Sequence, residues 1–324
     1  MVTLTLVSCT KTPTDKGEDI NMSLPKYIYF DAAAATKGPL VEDMAGKDFE
    51  VIGYTYAKAY GVNWDTFKAL GTPMAEFYKK RIVYDGGIFT YDPIQFWNGS
   101  NRYTFFAYYP CEMVNSVATG VAVNGTQSTS GTPSITYTIS NSAKSDQSKL
   151  YDVMTAMVKD TDNSSDGIVT FHFYHKLFCV EVMARNYDTT PVTIKDARIS
   201  FNSLTESITI PLDSNMPVST SGTFGPATYQ ISDSTPIELT GSSKQITGTD
   251  KMIFIPQTGL HGTISFTQVI NGVDYPKNET FSSSKDFKAG MKYTLSIAFA
   301  NDALSVAVLE SSAWEDVNQN IIFE

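Results

Sequence analysis

Two histidines three residues apart are the first candidates for chemistry in this sequence. His172 and His175 lie in the run FHFYH, whose aromatic residues favour a strand. Successive side chains of a strand point to opposite faces, so an offset of three places the two rings on opposite sides. They therefore cannot chelate one metal ion from a strand, and we interpret both as structural histidines. His261, beside Gly262, is typical of a turn.

An acidic run supplies the second candidate. Asp160, Asp162 and Asp166 precede Gly167 in a pattern that superficially resembles a calcium loop. The acidic spacing does not fit an EF-hand, and the twelfth position is Phe171 where a bidentate Glu is needed. We predict a solvated linker here, with weak cation binding as the alternative.

Motifs for catalysis are missing from the sequence. It contains no G-x-S-x-G, no P-loop, no G-x-G-x-x-G and no C-x-x-C. The carboxylates are scattered, so no pair can be nominated for acid–base work on a glycoside. We expect a protein that is not an enzyme, with no catalytic residues, no cofactor and no metal site.

The chain has three cysteines, too few for a disulfide framework in 324 residues. Cys111 and Cys179 could form one bridge or could be two small buried hydrophobic residues. Cys9 ends the run Leu-Val-Ser-Cys, which matches the lipobox at which bacterial lipoproteins are cleaved and acylated. Residues 1–26 are therefore expected to be a truncated lipoprotein signal followed by a polar, flexible tether.

The composition favours sheets. Aromatic residues make up 12% of the chain and charged residues only 18%, and aromatic and β-branched residues suit a pleated, half-buried surface. The formal charge is −10, and Lys and Arg are not clustered. The sequence therefore predicts no basic surface that would bind a phosphate backbone, and we expect no nucleic-acid partner.

Short apolar runs separated by turn residues predict an all-β fold of many strands. Residues 81–84 and 88–91 flank Asp-Gly-Gly as a hairpin, and Asn271-Gly272 is a strong two-residue hairpin turn. Residues 292–299 and 303–309 form a closing pair. Residues 149–158 are the best helix candidate, with a strand as the alternative. The polar break near 160–167 divides the chain into an N-terminal sandwich, 27–163, and a C-terminal sandwich, 164–324.

Several segments in order resemble the fimbrillin family of Bacteroidetes, the FimA/Mfa-like subunits of type V pili. The most specific is the F-x-A-G-x-x-Y pattern from Phe287 to Tyr293, followed by Trp314 after one more strand. Earlier marks are the aromatic run 103–109 ending at Pro110, the H-K-L run 175–177 and the sequence IFIPQ at 253–257. The resemblance covers nearly the whole chain after the tether.

The resemblance implies two tandem transthyretin-like β-sandwich domains and a route of export, lipidation, transfer to the outer membrane and processing. Cys9 matches the lipidated residue, and Lys37-Gly38 matches the processing site, with Lys where the family has Arg. Cleavage there would release a first strand and leave a groove that an extended segment of another subunit fills. The strand removed would comprise Tyr27, Ile28, Tyr29 and Phe30, and the donor strand would present Val317, Ile321 and Phe323.

The implied partners are other fimbrial subunits, identical or paralogous, and a membrane reached through the lipid before processing. The implied location is the cell surface, as an outer-membrane lipoprotein assembled into a fimbria. The tail after Trp314 has only ten residues, which suits a tip subunit about as well as a stalk subunit. A tip adhesin or glycan-binding surface lipoprotein, with a host glycan or protein as ligand, is therefore the alternative function.

Overall fold

The computed structural model describes residues 26–34, 43–69, 73–129, 131–163, 167–213, 218–247, 252–300 and 303–313. These residues form an all-β protein, as predicted. In the first part of the chain the strands are β1 Tyr29–Ala34, β2 Phe49–Ala57, β3 Ala75–Asp85, β4 Ile88–Thr90, β5 Asn101–Tyr109, β6 Met113–Val114, β7 Val117–Ala118, β8 Val121–Asn124, β9 Ser134–Thr138, β10 Met154–Thr161 and β11 Ile168–His175.

The second part of the described chain continues with strands only. They are β12 Phe178–Asn186, β13 Val192–Phe201, β14 Leu204–Pro211, β15 Ser219–Phe224, β16 Ala227–Gln230, β17 Ile237–Leu239, β18 Lys244–Gln245, β19 Met252–Phe254, β20 Gln257–Ile270, β21 Val273–Phe287, β22 Met291–Ala300 and β23 Ala303–Ala313.

Seven strands form the largest sheet, in the order β1-β11-β10-β5-β2-β3-β4. Its central strands β2 and β5 are buried on both faces, because successive residues of each enter different cores. Val51 and Phe105 contribute to an N-terminal core, whereas Ile52 and Phe106 contribute to a central core shared with the sheet β15-β14-β9-β8. Near-continuous apolar runs are typical of strands buried on both sides.

The C-terminal part is a β-sandwich. One sheet has the order β18-β12-β22-β23, with β19 also paired to β12. The other has the order β16-β13-β20-β21, with β17 also paired to β13. The C-terminal core between them includes Val182, Ile199, Ile264 and Leu295. Both predicted hairpins are present, since Asp85 pairs with Ile88 and Ile270 pairs with Val273.

The helix predicted for residues 149–158 is wrong, and the strand alternative holds. A single 3-10 turn, Gln147–Lys149, precedes β10, which pairs with β5 along most of its length. Helix-forming residues such as Met154 and Ala156 take a strand conformation because both are buried against the N-terminal core. The α-helix that is present, α1 at Trp64–Phe67, was not predicted. Within the described part of the chain, no helix has the length and apolar character required to cross a bilayer.

Strand pairing crosses the boundary predicted at residues 163 and 164. β10 pairs with β11 across it, and β9 pairs with β14. Val169, Phe171 and Phe173 of β11 belong to the N-terminal core. Lys176 and Leu177 separate β11, the last strand of the seven-stranded sheet, from β12, the first strand of the C-terminal sandwich. Because β14 and β15 return to the sheet that contains β8 and β9, the division into two domains stays a prediction.

Candidate assembly site

β1 lies at one end of the seven-stranded sheet. It pairs in parallel with β11, from Tyr29 opposite Ile168 to Ala34 opposite Phe173. Among the described residues, β11 is the only strand with which it forms a ladder. The predicted first strand, residues 27–30, overlaps the start of this edge strand and includes Tyr27, which forms an isolated bridge to Phe96. An edge strand can leave its sheet without breaking any other pair of strands.

The side chains of this segment alternate as a half-buried strand requires. Ile28, Phe30 and Ala32 are buried in the N-terminal core, whereas Tyr27 and Tyr29 are exposed. Alternate burial is how a strand gains specificity as well as affinity for its groove. Removing this segment would therefore open a row of apolar cavities along β11.

Phe30 is the main anchor of β1. Its ring centroid lies 5.8 Å from that of Phe77, 5.3 Å from those of Tyr91 and Phe105, and 5.6 Å from that of Phe171. The surrounding rings come from four different segments, so Phe30 fills a pocket lined by aromatic side chains. Aromatic pairs at these separations stabilise a core beyond the area that they bury.

Hydrogen bonds hold the start of the segment on its other side. The Ile28 amide donates to the Gln95 carbonyl at 2.9 Å, and the Trp97 amide donates to the Lys26 carbonyl at 2.9 Å. The Tyr91 hydroxyl donates to the Ile28 carbonyl at 3.0 Å. Burial raises the pKa of Tyr91 to about 12, so its hydroxyl keeps its proton and remains a donor at physiological pH.

Beyond Ile28, β1 faces β4 across an open cavity of about 590 Å³. We call this cavity the seam groove; its lining includes Tyr29, Asp31, Asp43, Ile88, Ile94 and Ile168. The Ala32 amide on β1 donates to its neighbour Asp31 at 2.9 Å. A charged side chain that occupies an amide of an edge strand protects that edge from adventitious pairing.

Other predicted site residues fall outside the described part of the chain. They are the lipidation residue Cys9, the processing residues Lys37 and Gly38, and the donor residues Val317, Ile321 and Phe323. Each of these assignments stays a prediction. Cys111 and Cys179 are both buried and do not form a disulfide, so the bridge alternative is wrong.

His172 and His175 lie as their spacing predicts, whereas the turn predicted for His261 is wrong, because His261 lies within β20 and pairs with Ser282. In β11, His172 is exposed and His175 is buried. His175 Nδ1 lies 2.9 Å from Asp152 Oδ2, and neither side chain is accessible to solvent. Within the described residues, no group of three or more His, Cys, Asp or Glu is placed to hold a metal.

The linker predicted near Asp160 is partly wrong. Asp160 Oδ1 accepts hydrogen bonds from the Trp64 amide at 2.8 Å and the Tyr56 hydroxyl at 2.5 Å. Asp162 forms an ion pair with Lys58 at 3.0 Å. Asp160 thus fixes the start of α1 to the sheet, and its role is structural.

The motifs behind the family resemblance meet where the N-terminal sheet joins the C-terminal sandwich. The Phe287 and Tyr293 rings lie 4.6 Å apart, and the Tyr293 hydroxyl accepts from the Lys288 amide at 2.9 Å. The Gly290 amide donates to the Leu177 carbonyl at 2.8 Å. Gly290 has φ +69°, a conformation that disfavours residues with a Cβ. The F-x-A-G-x-x-Y pattern therefore encodes a turn that fastens β22 to the β11–β12 connection.

Gly290→Ala is expected to lower the free energy of unfolding by about 1–2 kcal/mol, the cost of a left-handed conformation for a residue with a Cβ. Space is not limiting, because a Cβ at this position would lie 3.7 Å from the His175 carbonyl. Urea denaturation measures the change. Gly241→Ala is the control, since a Cβ there meets nothing within 4 Å; equal effects of the two substitutions would contradict the role given to Gly290.

A family comparison covers most of this architecture. The profile described as fimbrillin-like matches residues 61–314. The chain belongs to the fimbrillin-like family. The match runs from just before α1 to the end of β23, so it includes the C-terminal core and the motif turn at Gly290, whereas β1 and β2 precede it. The predicted family is confirmed.

This fimbrillin-like chain is also similar to individual proteins in sequence or in fold. It is 28% identical over 184 residues to the fimbrium subunit Fim1C of Phocaeicola vulgatus; the match takes in 55% of this chain and 47% of that protein, about half the length of the relative. The fold is similar to a fimbrial protein from Bacteroides vulgatus, with TM-score 0.67, 18% identity, and coverage of 89% of this chain and 99% of that one. A putative cell adhesion protein from Bacteroides ovatus aligns with TM-score 0.52, 17% identity, and coverage of 91% and 99%.

Two features of this site in a fimbrillin-like chain were not predicted. One is the backbone pairing of Ile28 with Gln95, and the other is the seam groove. The apolar residues Ile94, Phe96 and Trp97 after cis-Pro93 were the available signal for the first. The second depends on where β1 and β4 end relative to each other, which no local pattern encodes.

Proposed function

We propose that this chain is a structural subunit of a cell-surface fimbria and that copies join by strand exchange after β1 is removed. The observation that carries the proposal is the docking of β1: an edge strand, laddered on one side, with Ile28, Phe30 and Ala32 buried in the N-terminal core. The fimbrillin-like family match supports the fimbrial role.

Cleavage after β1 is what would make this strand exchangeable. Burying the Ile28 and Phe30 side chains stabilises the docked strand by roughly 1.5–3 kcal/mol each, and the covalent connection to β2 keeps the strand at high effective concentration. Cutting the connection removes this covalent link. It allows the strand to diffuse away, so a segment from another subunit can compete for the groove.

The remaining parts of the proposal follow the family. Cys9 is acylated and holds the unprocessed subunit at the outer membrane, Lys37-Gly38 is the cleaved bond, and Val317, Ile321 and Phe323 line the donor strand. The two units are transthyretin-like sandwiches that follow one another along the chain. The partners are copies of this chain or paralogous subunits.

The test uses a site-specific protease sequence placed at residues 36–41, so that only this connection is cut. We expect the cut protein to form ladders that resist detergent on gels, while the uncut protein forms none. A matched variant that ends at Ala313 lacks the donor and should accept a strand without extending the ladder. Clean cleavage with loss of β1 and no polymer would overturn strand exchange.

One observation favours the alternative of a tip adhesin or glycan-binding surface lipoprotein. The rings of Tyr27 and Phe96 are both exposed, with centroids 4.5 Å apart, and a sugar ring could stack on such a surface. Binding on a glycan array that is lost in Tyr27→Ala and Phe96→Ala would support this function. Unchanged binding in both variants would exclude this pair as the glycan site.

A further inference from the structure

A hairpin tip in the C-terminal sandwich exposes a compact apolar surface. Ile270 is 44% exposed, Val273 is 52% exposed and Tyr275 is 45% exposed. Asn271 and Gly272 have φ of 51° and 78°, the left-handed pair of a tight two-residue turn, which holds the tip in one shape. We call Ile270, Val273 and Tyr275 the tip patch.

Tyr187 lies at the same end of the sandwich as the tip patch. Its amide donates to the Phe299 carbonyl at 2.8 Å, just beyond the last residue of β12. The next strand, β13, pairs Thr193 with Val269, one residue from the tip. The Arg185 guanidinium lies 4.4 Å from the centre of the Tyr187 ring, which holds this exposed aromatic side chain in place.

The seam groove is the apolar counterpart in the N-terminal part. Of its lining residues, Ile88 is 67% exposed, Ile168 is 48% exposed and Tyr29 is 44% exposed. Contiguous apolar surface rimmed by polar residues marks interaction sites more often than chance. A cavity of about 590 Å³ is within the usual range for a binding pocket.

The two surfaces are connected by two strands that follow each other in the chain. Ile168, in the groove, is the first residue of β11, and Tyr187 directly follows the last residue of β12. Only Lys176 and Leu177 separate the two strands. Contact between two different surfaces of one chain is heterologous, so it repeats from copy to copy and does not close on itself unless the rotation forms a ring.

The residues beside the two surfaces carry opposite charges. Asp31 and Asp43 line the groove. On β21, Val273, Tyr275 and Lys277 alternate along one face of the strand, and Lys277 is exposed. A cation beside an apolar tip and carboxylates beside an apolar groove favour one orientation of approach.

The groove is better suited to binding the side chains of a folded hairpin tip than to pairing with an added strand. The Ala32 amide of β1 already donates to Asp31, so that donor is not free for an incoming backbone. The Ile28 amide is likewise occupied, by the Gln95 carbonyl. The groove presents apolar side chains, which the tip patch can contact, and carboxylates, which Lys277 can approach.

We propose that the β20–β21 tip of one copy docks in the seam groove of a second, intact copy, so that unprocessed copies associate head to tail through side chains. This inference rests on the proposed fimbrial function but concerns a different event. It requires neither cleavage nor loss of β1, and it would align subunits before any strand is exchanged.

The test compares the intact full chain with three variants by sedimentation velocity over a series of concentrations. The tip variant is Ile270→Glu with Val273→Glu, and the groove variant is Ile88→Glu with Ile94→Glu. The control is Val117→Glu on β7, a residue 60% exposed and outside both surfaces. Urea denaturation verifies that all variants fold.

We expect the wild type and the control to form dimers and longer oligomers as concentration rises. Each double variant alone should be monomeric, with association weakened at least about tenfold, or about 1.4 kcal/mol. An equimolar mixture of the two double variants should form a dimer and stop, because only one intact tip and one intact groove meet. This result distinguishes a heterologous contact from tip-to-tip or groove-to-groove pairing.

A monomeric wild type, a monomeric mixture, or double variants that associate like the wild type would overturn the inference. Polymerisation after cleavage is scored separately. Detergent-resistant ladders from both cut double variants, together with a monomeric intact protein, would remove this contact and leave strand exchange standing. If intact copies associate through both surfaces but no ladders form after cleavage, the tip-to-groove contact stands and strand exchange is overturned.

Discussion

Phe30→Ala is expected to lower the free energy of unfolding by about 3–5 kcal/mol, the usual cost of replacing a buried Phe by Ala. The substitution empties a pocket made by Phe77, Tyr91, Phe105 and Phe171. Because β1 is an edge strand laddered to β11 alone among the described strands, much of the loss should appear as local release of this strand. Hydrogen exchange of the β11 amides reports that release, and urea denaturation reports the total.

Tyr29→Ala is the matched control, since Tyr29 is the adjacent residue of the same strand and points to solvent. A change within about 0.5 kcal/mol is expected for an exposed position. In protein cut after β1, Phe30→Ala should also shorten the time before ladders form, because the strand leaves more easily. Similar exchange rates in the two variants would show that Phe30 does not anchor β1.

His175→Ala is expected to destabilise the protein by about 1–3 kcal/mol at neutral pH, the usual cost of leaving a buried polar group without its partner. The loss leaves Asp152 without the imidazole that lies 2.9 Å away, and the Asp152 side chain has no access to water. His172→Ala on the same strand is the control, because His172 is exposed, and it should change the free energy of unfolding by no more than about 0.5 kcal/mol.

The pH dependence of His175→Ala has a definite sign. Burial raises the pKa of Asp152 above its ordinary value of 3.8, and His175 opposes that rise. Without His175 the pKa rises further. A carboxyl group that is harder to ionise in the fold contributes its full stability below its ordinary pKa and loses it as pH increases through the raised pKa.

The deficit of His175→Ala relative to wild type should therefore shrink as pH is lowered, and Asp152→Asn in the same chain should recover part of it at pH 7. Urea denaturation at a series of pH values measures both effects. A deficit that is constant across pH would contradict an unpaired carboxylate as the cause.

Local patterns predicted much of the fold. The strict alternation of β11 and the turns at Gly86-Gly87 and Asn271-Gly272 are decided by neighbouring residues, so a single sequence suffices for them. The first strand was predicted at residues 27–30, and the structure has β1 at Tyr29–Ala34 after the bridge at Tyr27.

Long-range pairing was not predictable from the same signals. The polar run after Asp160 has the composition of a linker, yet the strands on either side of it pair with each other, and Asp160 accepts from Trp64 and Tyr56. Likewise, residues 149–158 have helix-forming composition, but burial of Met154 against the N-terminal core decides for a strand. Tertiary contacts outweigh local propensity at such positions.

The parallel ladder between β1 and β11 has a mechanical consequence. Its residue pairs run in register from Tyr29 with Ile168 to Ala34 with Phe173, without a bulge. A force along the axis of a strand paired with β11 would act on all the backbone hydrogen bonds of this ladder at once. A force across the sheet would break the same hydrogen bonds one after another. Tension applied along the axis of this strand is therefore shared over its full length.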